Sequence, residues 1–94
     1  DFYADWCISC KEMEVNTFTN PEVSKQLKQL VLVQADVTAN SPESQALLKK
    51  FGLYGPPGIL FFSQNSEEQK NQRVIGYMSP ERFIERLKQV MKTQ

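Results

Sequence analysis

Two cysteines three residues apart, in the stretch DFYADWCISCKEME, have the richest chemistry open to them in this chain. A CxxC pair can hold a metal, staple a fold, sit reduced in a core, or shuttle electrons by thiol–disulfide exchange. A structural zinc site takes four Cys or His ligands, and the chain has two Cys and no His. Zinc therefore needs ligands from a partner chain. A Cys7–Cys10 bond closes so short a loop that it removes little entropy from the unfolded state, which makes it a weak staple. A buried reduced pair stays open as an alternative. However, a strand before the motif and a helix after it place Cys7 at a helix N-terminus, where free N–H groups and the helix dipole stabilise a thiolate. Redox chemistry is the favoured reading, with no metal and no cofactor beyond the Cys7–Cys10 pair itself.

Cys7, at the exposed end, is expected to attack a partner disulfide through a mixed-disulfide intermediate, with Cys10 one turn further in as the buried resolving thiol of higher pKa. Trp6 reads as a lid over the pair or as a core residue. With no histidine as base, a carboxylate must manage the proton if any side chain does. Asp1 opens the apolar strand DFYA, and burial beneath the active-site helix would raise its pKa; the competing reading is a frayed terminal charge. Glu14 lies four residues after Cys10 and seven after Cys7, on one helical face with both. Negative charge there raises cysteine pKa values, although a solvated helix residue fits the pattern as well. The stretch YGPPGILFF adds a proline directly before a buried strand, which points to a cis bond at Pro57 in a tight turn, or to a plain turn without function.

Positioning these groups falls to alternating strands and helices. Asn20-Pro21, Ser41-Pro42 and Ser79-Pro80 each pair a capping side chain with a proline at the first helical position, predicting helices over about 21–29, from 42 to a stop at Gly52, and from 80 onward. In the last, Phe83, Ile84, Leu87, Val90 and Met91 share one face. Leu30 to Val37 reads as a strand covered on both faces, Gly58 to Phe62 as a second buried strand, Ser63 to Gln72 as a polar loop, and Arg73 to Tyr77 as a strand pairing back in a hairpin. The whole describes an α/β sandwich around a mixed sheet.

Composition sets the outer limits. Ninety-four residues with 40% apolar content make one small domain, spanning residues 1–94. Eleven basic against eleven acidic residues remove the electrostatic case for nucleic acid or an anionic membrane surface. The longest apolar runs fall far short of the roughly 20 residues that span a bilayer. No initiator Met or signal-like segment precedes the first strand, so the chain reads as a piece of a longer protein.

The segments DFYADWCISCK, PPGILFF some fifty residues later, and VIGYMSPERFIERL together resemble the thioredoxin family over essentially the whole chain. The resemblance implies a thioredoxin-like fold in which Asp1 matches the family's buried acid, Pro57 its cis-proline and Gly76 its strand glycine. Within the family, CKEMEVNTFTNPEV and QADVTAN are similar to the C-terminal periplasmic domains of transmembrane thiol:disulfide interchange proteins, rather than to free thioredoxins with their usual W-C-G-P-C. That branch implies a monomeric periplasmic domain of a bacterial inner-membrane protein, taking electrons from a membrane-embedded domain and passing them to an N-terminal periplasmic domain, for disulfide isomerisation and cytochrome maturation. It also implies that acids at Asp1 and Glu14 tune the active-site cysteine. Two departures stand out. The family's first strand and helix are missing at the N-terminus. Pro56 stands where thioredoxins usually carry a residue whose N–H and C=O pair with the substrate strand; proline has no N–H. Docking is then expected to lean on the Pro56 carbonyl and on apolar contact around Trp6. Two other functions remain in view: a general thioredoxin-like reductase of broad substrate range, and a non-catalytic interaction module, which fits an intact CxxC poorly.

Overall fold

A computed structural model describes residues 1–93. Its elements run β1 (Phe2–Tyr3), α1 (Ile8–Glu12) continuing into a π-helical turn (Met13–Thr17), α2 (Pro21–Leu27), β2 (Ala35–Asp36), α3 (Pro42–Lys50), β3 (Gly58–Ile59), a short 3-10 turn (Lys70–Gln72), β4 (Val74–Ile75) and α4 (Pro80–Thr93). The helix starts follow from their caps. Asn20 accepts from the N–H groups of Glu22 and Val23, and Ser41 from that of Ser44. Gly52, at φ +71°, ends the segment after α3 as expected, in a conformation that favours glycine.

The sheet has strand order β2-β1-β3-β4, with β1 and β2 parallel and the β1–β3 and β3–β4 pairs antiparallel. The expected hairpin is present: Gly58 faces Ile75 and Ile59 faces Val74, with a further bridge between Phe62 and Glu68. The expected strand from Leu30 to Val37 is corrected. Only Ala35 and Asp36 pair, while Val31, Leu32 and Val33 are 94%, 63% and 74% exposed. The reason lies in the order of strands: β2 is an edge, so the apolar run before it has no neighbour on its outer side among the described residues.

Side chains alternate between two apolar clusters. Ile59 and Phe61 join Met13, Val23, Val74, Phe83, Leu87 and Val90 in the cluster under α4, whereas Leu60 packs on the other, with Phe2, Ala4, Cys7, Cys10, Val37 and Leu48. Alternation along β3 and the residues after it assigns the clusters to opposite faces. α4 supplies the predicted stripe, with Phe83, Leu87 and Val90 buried and Ile84 partly so. The helix of the cysteines does not stay α-helical along its whole length. It widens into a π turn at Met13, closed by Phe18 N–H on Met13 O at 2.8 Å. In that turn the buried Thr17 hydroxyl donates to Met78 O at 2.7 Å, and Met13 Sδ accepts from Met78 N–H. Buried polar demand from the segment after β4 thus pins this helix to the sheet.

Candidate active site

The parallel pairing of β1 and β2 fixes where the CxxC lies. Both strands run the same way, so the turn after β1 and the corner after β2 emerge side by side at one end of the sheet. The β1 turn is closed by Cys7 N–H on Ala4 O at 3.1 Å, and Cys7 then caps α1, its Sγ accepting from Cys10 N–H at 3.1 Å. Cys7 and Cys10 form a disulfide with Cα atoms 5.2 Å apart. A sulfur that accepts a helix N-terminal N–H is a sulfur whose negative charge is stabilised when the bond is reduced.

The expected contrast in exposure between the two cysteines is absent: in the disulfide each is 5% exposed. Both cysteines, joined in the disulfide, pack in the cluster of Phe2, Ala4 and Val37.

A cavity of about 70 Å³ lies behind the pair, and its walls include Asp1, Cys10, Met13, Glu14 and Pro57. Four residues singled out from the sequence therefore meet at one small space, although Cys7, Trp6 and Pro56 do not line it. Asp1 is half-buried rather than frayed. Its amino group donates to Val33 O at 2.9 Å, and its carbonyl accepts from Ala35 N–H. Glu14 is solvent-exposed while still reaching the cavity wall. Pro56–Pro57 is a cis peptide, as the sequence led us to expect, and Pro57 O accepts from Gly76 N–H at 3.2 Å, tying this turn to β4.

Trp6 is 58% exposed, so it is not a core residue. Its indole is held at one edge, Nε1 donating to Thr38 O at 3.0 Å. Thr38 lies in the QADVTAN stretch, to which the sequence alone gave no role at the site. Its hydroxyl accepts from Asp5 N–H at 2.9 Å and donates to Asp36 Oδ1, which also accepts Thr38 N–H at 2.9 Å. These hydrogen bonds hold the Asp36 carboxyl below its usual range. Asp36 two residues before Thr38 is the spacing of an Asx turn, the signal that could have found this corner. Tyr3 donates to Asp5 Oδ1 at 2.8 Å, and this bond to a carboxylate is the main reason its phenol is pushed up to about 12. Exposed apolar residues adjoin both motifs: Ile8 follows Cys7, and the fully exposed Tyr54 precedes Gly55-Pro56.

Among the described residues no group of three His, Cys, Asp or Glu side chains is placed to hold a metal ion, and no helix is long and apolar enough to cross a membrane.

Comparison with known proteins fits this geometry. Residues 1–91 match the family model of the thioredoxin-like domain. The chain is 47% identical over 88 residues to the thiol:disulfide interchange protein DsbD of Haemophilus influenzae, covering 94% of this chain and 15% of that protein. It therefore spans about 15% of the length of such relatives. The DsbD C-terminal domain of Neisseria meningitidis in its reduced form superposes with a TM-score of 0.82 at 46% identity, covering 95% of this chain and 76% of that one. Its oxidised form gives a TM-score of 0.83. A thioredoxin from Thermus thermophilus gives 0.70 at 28% identity, covering 96% of this chain and 69% of that one.

Proposed function

The chain belongs to the thioredoxin-like domain family, with the C-terminal domain of DsbD among its relatives, and on that footing we propose that it is a protein-disulfide reductase domain of a longer DsbD-like protein. One observation carries the reading: a disulfide whose first sulfur caps the helix that bears the second. In the reduced domain, Cys7 as thiolate attacks one sulfur of a partner disulfide. A Cys7–partner bond forms, the partner S–S bond breaks, and the partner's other sulfur leaves as a thiolate that takes up a proton. Cys10, losing its proton, then attacks Cys7 Sγ, forming the Cys7–Cys10 bond and releasing the partner's second sulfur. The partner gains two electrons and the domain loses two. Asp1 and Glu14, on the cavity wall beside Cys10, set the proton affinity of the pair. Trp6, Pro56 and Pro57 form the partner's docking rim, where Pro56 offers a carbonyl and no N–H.

In the longer protein the electrons come from the transmembrane domain and go to the N-terminal periplasmic domain, which places this domain in the periplasm, as a monomer. The small share of the relatives' length that the chain spans supports such a multidomain setting. The exposed run Val31–Val33 supports it too, as an edge onto which a preceding strand of that longer chain pairs.

The test is trapping. A Cys10→Ser variant cannot resolve the intermediate, so it should accumulate a mixed disulfide through Cys7 with the oxidised N-terminal domain of the same protein, visible on a non-reducing gel. No adduct with that domain, alongside rapid reduction of unrelated disulfides by the wild-type domain, would instead establish a general reductase.

A further inference from the structure

The corner Asp36–Thr38 belongs to no part of the exchange chemistry, yet it makes the main hydrogen bonds that reach the turn carrying Trp6 from another element. We propose that Thr38 is a positioning residue that sets the Trp6 indole at the rim of the disulfide and thereby governs how well a partner docks there. The inference rests on the reading of Trp6 as docking rim, and two features of the structure carry it.

The first is the double use of one residue. The Thr38 hydroxyl has one proton and gives it to Asp36 Oδ1, which leaves its lone pairs for Asp5 N–H at 2.9 Å. Its carbonyl takes the Trp6 indole N–H at 3.0 Å. Two consecutive residues of the Ala4–Cys7 turn are thus fastened to a single residue on the neighbouring strand's corner. That corner is itself rigid at both ends: Val37 N–H donates to Tyr3 O at 2.7 Å, and Asn40 N–H donates to Val37 O at 3.1 Å.

The second feature is the state of the indole. With 58% of the residue exposed, packing alone does not hold the ring, and the bond at Nε1 is what fixes its direction. An aromatic face held in one orientation before a partner arrives loses less entropy on binding, which favours docking without touching the chemistry at sulfur. A hydroxyl is required for this and a methyl is not. Valine at position 38 keeps the shape and the carbonyl but leaves Asp5 N–H and Asp36 Oδ1 without their link, so the corner that presents the carbonyl loosens.

Trp6 is the sole tryptophan, so its indole N–H gives a single NMR signal. In the wild-type chain, the amide of Asp5 and the indole N–H of Trp6 should exchange with solvent at least about tenfold more slowly than an unbonded reference, the factor that one net hydrogen bond supplies. Thr38→Val should abolish the Asp5 protection and speed indole exchange about fivefold, and Thr38→Ser should restore both. With insulin as disulfide substrate and dithiothreitol as reductant, Thr38→Val should raise KM about threefold while kcat moves less than KM does, again with recovery in Thr38→Ser. Rapid exchange of the Asp5 amide in the wild type overturns the proposal, and that measurement needs no variant to fold. So does indole exchange that Thr38→Val leaves unmoved, or a KM change that serine fails to reverse. If the wild-type domain does not turn over insulin, a general reductase is excluded while the relay reading still stands or falls by the trapped adduct, and the exchange rates alone decide the clamp.

Discussion

The cluster under α4 is closed by Phe83, Met13, Leu87 and Val90, all at 1% exposure or less, while the cluster on the opposite face is closed partly by Ala4, Cys7 and Cys10, with both cysteines at 5%. The first is built of large apolar side chains with no reactive group beyond methionine sulfur. The second has small residues and a redox-active pair at its boundary. Burial of a Phe or Leu contributes about 1.5–3 kcal/mol each, so most of the hydrophobic stabilisation sits in the first cluster. Stability and chemistry are therefore held on different faces of one sheet, and the helix of the cysteines, pinned through Met13 and Thr17 to the segment after β4, joins them.

A pair of variants breaks this contrast most directly. Cys7→Ser should remove disulfide exchange altogether while costing at most about 2 kcal/mol against the oxidised wild type, because the loop closed is so short. Phe83→Ala should cost about 3–5 kcal/mol, a large part of what a domain of this size holds, yet leave exchange measurable at low temperature. Urea unfolding and a thiol-exchange assay on both would show whether the faces are separable. If Phe83→Ala abolished exchange in a folded protein, the division would be wrong.

Next in size is Gly76→Ala. Gly76 sits at φ +81° with open space where a Cβ would be, so the penalty is the backbone's alone, about 1–2 kcal/mol. Because Gly76 N–H also holds Pro57 O, the same change should shift the amide signals around the disulfide, and spectra confined to residues near position 76 would contradict that link.

The smallest effect belongs to a part-buried ion pair that is a member of neither cluster. Arg73 bonds both carboxylate oxygens of Glu68, and this holds the Glu68 carboxyl below its ordinary value near 4.5. A depressed folded pKa contributes stability above the unfolded value, and that stability is lost as pH falls through the folded one. Between pH 5 and 3 the wild type should therefore lose more stability than Glu68→Gln, by a modest margin because the pair is partly solvated. Parallel pH profiles would refute this. Since neither cluster holds the pair, exchange should follow the same course in both proteins.

What could be read in the sequence was whatever short-range chemistry dictates. The caps at Asn20, Ser41 and Ser79 lie within a few residues of the N–H groups they serve, the stripe of α4 is a helical period, and Cys7 and Cys10 are neighbours on any helix. Those local rules placed the redox pair and most of the elements. Tertiary structure decided the rest. Leu30 to Val33 carries the apolar pattern of an inner strand, but whether a strand is inner depends on neighbours that pattern does not encode. The meeting of Asp1, Glu14, Cys10 and Pro57 at one cavity joins residues up to 56 positions apart. The Thr38 clamp spans 33 residues to Asp5 and 32 to Trp6, and it exists because parallel pairing of β1 with β2 brings two loops to the same end of the sheet. The Asx spacing of Asp36 and Thr38 marks the corner locally, but only the path of the chain brings Asp5 and Trp6 to it.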